Sequence, residues 1–86
     1  MAEVTDHDRA LARSVPDELL NWSGTPLDGL LDIVNNYWGP FDVRARCQLV
    51  GELLTALTPL LDNKTEVMDA YRDACEAIVT TWVARQ

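Results

Sequence analysis

The chain has 86 residues, 48% of them apolar and three of them Trp, with a net charge of −7 and a pI near 4.3. This length makes one domain, residues 1–86, with a thin core, and the apolar content excludes a disordered chain. The acidic balance repels phosphates, so no direct nucleic-acid partner is expected, and no apolar run reaches the ~20 residues that a bilayer crossing needs.

Met1 to Asp6 carry neither the basic start nor the apolar run of an export signal, so the expected location is cytoplasmic, without a membrane partner. A first helix is predicted from about Thr5 to Arg13, with Thr5 as N-cap and Asp8 three residues on, where a carboxylate suits the positive helix end. Pro16 is expected to end this helix and to open a second short one to about Trp22, which Ser23-Gly24 stops. Thr25-Pro26 reads as another helix start, with Thr as N-cap and Pro at the first helical position. That helix runs to about Trp38 on an apolar row of Leu27, Leu30, Leu31, Val34, Tyr37 and Trp38, and Gly39-Pro40 breaks the chain.

A long helix follows, from about 40 to 57. Val43, Cys47, Val50, Leu54 and Leu57 form one apolar row, with Leu49, Leu53 and Leu60 beside it. Together they are wider than the usual ~100° stripe, which places this helix at the centre of the bundle or leaves one row as an oligomer interface. Thr58-Pro59 kinks or restarts the helix. Asn63-Lys64-Thr65-Glu66 reads as a capping box that opens the last helix, about 64–84, antiparallel to the 40–57 helix. No segment alternates with the period of a strand. The fold class is all-α, a compact bundle of four to five helices.

Cys47 and Cys75 fall on apolar faces at about the same level of the last helix pair. They are expected as neighbouring free thiols in the core, since a cytoplasmic protein is kept reduced. Trp82 closes the apolar face of the last helix and is expected in the core. The pattern leaves the exposure of Trp22 open.

Asp62, Glu66, Asp69, Asp73 and Glu76 are spaced 4-3-4-3, which stacks five carboxylates on one helical stripe. Within its own helix, only Arg72 is placed to compensate them, four residues before Glu76. Such a stripe serves either as a solvated face or as a docking face for an Arg/Lys-rich protein surface. The corner from Asn35 to Arg46 offers a second candidate surface in Trp38, Phe41, Arg44 and Arg46, residue types that dominate interface hot spots. Aromatics at such corners also serve as core plugs. Arg44 and Arg46 point to different sides of a helix, so one is expected to pair with an acid such as Asp42 or Asp32 and the other to reach a partner.

Catalytic signatures are missing: the chain has no G-x-S-x-G, phosphate-binding loop, G-x-G-x-x-G or H-E-x-x-H, and its one histidine, His7, lies between Asp6 and Asp8. No enzyme activity, metal or cofactor is expected. Size, acidity and helix content resemble acyl carrier proteins, but neither Ser14 nor Ser23 follows an Asp, as their modified serine does. Trp22-Ser23-Gly24 resembles the W-x-G turn of small secreted helical hairpins, yet Pro16 and Pro26 flank it closely. Tyr37-Trp38-Gly39-Pro40 with Arg44 resembles a short stretch of formate dehydrogenase delta subunits, with Gly39 in place of their Asp and the arginines shifted. No family is assigned. The expected function is a small acidic, non-catalytic interaction module, an adaptor or an inhibitor of phage or host-defence type, docking on a larger protein with a basic patch. The alternatives are a self-associating subunit of a homo-oligomer or virion, and an accessory subunit of a multi-subunit enzyme.

Overall fold

Thr5 starts the first helix by a reciprocal cap. Its hydroxyl accepts the Asp8 amide N–H at 3.1 Å, and the Asp8 carboxylate accepts the Thr5 amide N–H at 3.0 Å. Two of the orphan donors at a helix start are satisfied in this way. The computed structural model describes residues 3–61 and 67–86. Among these residues there are four α-helices and no strand: α1 (Asp6–Leu20), α2 (Pro26–Trp38), α3 (Val43–Leu57) and α4 (Met68–Arg85), with a 3-10 turn, Thr58–Leu61, after α3.

The expected break at Pro16 does not occur. Helix α1 continues through it as one element to Leu20. A proline inside a helix forfeits one backbone hydrogen bond and costs about 3 kcal/mol. Here Val15, Pro16 and Leu19 are all buried on the same side. Each large apolar side chain so buried returns about 1.5–3 kcal/mol, enough to carry the helix past the proline. Tertiary packing overrides the local signal.

Helix α2 starts as the sequence indicates, with Thr25 accepting the Asp28 N–H at 3.2 Å. Its buried side is Gly29, Leu30, Ile33, Val34 and Trp38, while Leu27 and Tyr37 of the expected row are exposed. Gly29 is needed for close approach. A Cβ there would sit 3.0 Å from Cγ of Trp22, whose ring laps over this turn. Helix α3 begins at Val43 rather than at Pro40, because Asp42 caps it by accepting the Arg44 N–H at 3.3 Å. Helix α4 starts at Met68 with no side-chain cap at Val67. The capping box Asn63–Glu66 lies outside the described residues.

Cross-links between helices define the topology. Asp8 meets Trp38 and Leu19 lies beside Gly29, so α1 and α2 are antiparallel. Arg13 meets Glu76 and Arg72 meets Asp17, so α1 and α4 are antiparallel too. Chain neighbours pack on each other, and α4 closes the ring against α1, the most extensive packing in the molecule. The result is an up-down-up-down four-helix bundle of 36 × 23 × 18 Å. Helix α3 packs on two neighbours, as its broad apolar surface requires, but every helix of the ring does the same. Leu49, Val50, Leu53 and Leu57 supply its buried side, and Val43 is 63% exposed.

The thiols are not neighbours in the core. Cys75 is buried and Cys47 is exposed on α3. Burial pushes the Cys75 thiol up to about 12, so it behaves as a small apolar side chain. The pattern failed at Cys47 because α2 and α4 approach α3 from its Leu49–Leu53 side.

Three aromatics plug the end of the bundle where α2 ends and α4 ends. Trp82 packs edge-on against Trp38 at 6.3 Å and against Phe41 at 5.0 Å between ring centroids. Its indole N–H donates to the Ala45 carbonyl at 2.9 Å. The Trp38 N–H donates to Asp8 at 3.4 Å. Among the described residues, no buried side-chain nitrogen or oxygen lacks a partner.

Candidate functional site

The carboxylates of α4 do not form an uncompensated stripe. Arg13 reaches across from α1 and places Nη1 at 2.6 Å from Asp73 and 3.2 Å from Glu76. Arg72 grips Asp17 of α1 with two bonds, 2.9 Å from Nη2 and 3.2 Å from Nε, and holds Asp69 at 2.9 Å through Nη1. The expected Arg72–Glu76 pair is replaced by these contacts. Asp69 is met within α4 by Arg72, three residues on, but for Asp73 and Glu76 the compensation comes from 60–63 residues away in sequence, across the α1–α4 seam. Helical spacing within α4 carries no sign of it. Asp62 and Glu66 lie outside the described residues.

Ion pairing leaves the ridge accessible. The side chains of Asp69 and Asp73 are 92% and 70% exposed, and that of Glu76 is 32% exposed. Hydrogen bonds donated to Asp73 and Glu76 hold the Arg13 guanidinium more firmly protonated, and those to Asp17 do the same for Arg72. In return, Arg72 holds the Asp17 carboxyl below its ordinary value of 3.8. At Asp8, burial raises the pKa. The Thr5 amide and hydroxyl, the Trp38 indole and nearby His7 together outweigh it, and the net shift is downward.

Both carboxylates are depressed in the folded chain, so they stabilise it at pH values above their unfolded range. This contribution is lost as pH falls through their folded values. The expected result is a urea midpoint that is flat near neutrality and falls below about pH 4. An Asp8→Asn, Asp17→Asn variant should start lower and lose less on acidification. An equal acid loss in both proteins would contradict this assignment.

The aromatic corner is built for stability. Trp38 is 1% exposed and faces the core, so it is withdrawn from the surface, and Phe41 is half-buried against Trp82. Arg46 donates from Nε to the Phe41 carbonyl at 3.0 Å and from Nη1 to the Asn35 side chain. It pairs with neither Asp42 nor Asp32, because Asp42 caps α3 and Asp32 accepts from Asn36. Arg46 therefore locks the α2–α3 turn. Arg44 is exposed and makes no ion pair among the described residues, which leaves it as the corner's accessible cation.

Two features escaped the sequence reading. Leu20, Trp22, Leu27 and Val67 are exposed at the end where α1 stops and α2 and α4 begin. A groove of about 840 Å³ runs between α3 and α4, lined in part by Gly51, Glu52, Thr55, Ile78 and Arg85. The spacing of Gly51 and Thr55, one helical turn apart on a polar side of α3, was the available signal. Among the described residues, no His, Cys, Asp and Glu side chains group as metal ligands, and no helix is long and apolar enough to cross a membrane.

Fold and surfaces together define a small antiparallel four-helix bundle with an ion-paired acidic ridge on one side and a shallow groove on another. The chain matches no protein family, no curated protein and no solved structure.

Proposed function

We propose that this chain is a small acidic, non-catalytic interaction module, an adaptor or inhibitor, that docks on a basic surface of a larger protein. The supporting observation is the α4 ridge, where Asp69 and Asp73 stay open to solvent while Arg72 and Arg13 hold them in place. Fixed carboxylates lose little rotamer freedom on binding, which favours a preorganised face over a merely solvated one. The net charge of −7 would speed association with a cationic partner. The reading includes a cytoplasmic setting, which suits two free thiols.

Reversal of the ridge to lysine would set like charges against Arg13 and Arg72 and disturb the seam itself. The test therefore uses neutral replacements. The double variant Asp69→Asn, Asp73→Asn leaves Glu76 with Arg13 and Asp17 with Arg72. The protein captured by the wild-type chain should bind this variant at least about tenfold more weakly, with a shallower salt dependence. The measurement is titration calorimetry at low and high salt, with circular dichroism as the fold control. Equal affinity for the two chains would sink the ridge as the docking face.

A further inference from the structure

We infer that the groove between α3 and α4 is the face through which two copies of this chain pair about a two-fold axis. This goes beyond the docking reading, because the ridge lies on the α1 side of α4 and the groove on its α3 side.

The groove has a low floor. At Gly51, a Cβ would meet nothing within 4 Å. The Thr55 hydroxyl turns inward to donate to the Gly51 carbonyl at 2.9 Å, so the residue makes no polar demand on a visitor. Small side chains at such a place allow helices to approach near the lower end of the usual 8–10 Å interaxial range. Ile78 and the edge of Trp82 supply the apolar wall.

Charge selects the occupant. Glu52 stands on the α3 wall and Arg85 on the α4 wall, and neither makes an ion pair among the described residues. A two-fold axis through the midpoint of one acid and one base exchanges them. Glu52 of each copy then faces Arg85 of the other, and the contact is made twice in an isologous interface. Elsewhere a chain of net charge −7 repels its own copy, but this face is balanced. A basic protein would find no excess of acid here. A small molecule would remain mostly in solvent in so open a groove, whereas pockets for such ligands bury most of the ligand surface.

The test is solution mass by light scattering over a concentration series at low salt. The wild-type mass should rise from 9.6 kDa toward twice that value. Glu52→Arg and Arg85→Glu each set like charges face to face, and each should raise the dissociation constant at least about tenfold. The double variant carrying both exchanges should return to about the wild-type value. Both side chains are exposed, so helicity by circular dichroism should not change in any of the three. A monomer at every concentration would overturn the inference. So would a dimer indifferent to Glu52→Arg, or a double variant that stays as weak as the single ones.

Discussion

Trp38→Ala is expected to lower stability by about 3–5 kcal/mol, the cost of truncating a buried aromatic that neighbours cannot replace. Domains hold only about 0.05–0.15 kcal/mol per residue, so this is a large part of what 86 residues possess. The effect has three sources on one side chain. Trp38 is fully buried, its ring packs edge-on against Tyr37 and Trp82, and its indole N–H helps hold Asp8 at the start of α1. Its loss therefore loosens the α1–α2 contact and the α2–α4 plug together. Urea unfolding followed by far-ultraviolet circular dichroism measures this directly. A midpoint close to the wild-type value would show that the aromatic plug does not hold the bundle end.

Leu53→Ala should cost about 2–5 kcal/mol, and Leu27→Ala less than about 0.5 kcal/mol. The two leucines look alike in the sequence, since both belong to apolar rows of predicted helices. Leu53 is completely buried in the middle of α3, while Leu27 is exposed in the first turn of α2. Truncation at Leu53 leaves a cavity bordered by rigid helices, which cannot collapse to fill it. Truncation at Leu27 exchanges one solvated side chain for a smaller one. Similar losses at both sites would mean that the buried side of α2 has been misplaced.

The contrast between those leucines shows how far local pattern reaches. Capping chemistry is local, so Thr5 and Thr25 behaved as the expected helix starts and Gly39-Pro40 separated α2 from α3, whereas the Asp42 cap moved the start of α3 from about Pro40 to Val43. Periodicity finds that a helix is amphipathic, but the edge of its buried stripe depends on where neighbours arrive. That is why Val43 and Cys47 were expected inside and Ile33 was not. The acidic ridge was readable as a spacing with Arg72 inside it, while its partner across the seam was not. Arg13 lies 60 residues before Asp73, and nothing in α4 announces it. The groove was missed for a related reason: Glu52 and Arg85 acquire a common meaning only when α3 and α4 lie side by side.

Composition and local chemistry by themselves determined that this chain is an acidic all-α domain. They set where α1 and α2 begin and that its core would draw on Leu, Val and Trp. Those outcomes depend on residue transfer to an apolar interior and on hydrogen bonds within a few residues. Tertiary structure alone decided that α1 runs unbroken through Pro16 on its buried side, and that Arg13 with Asp73 and Arg72 with Asp17 cross-link α1 to α4. Each of these is a contact between distant segments. Its free energy exists only once the bundle has brought them together.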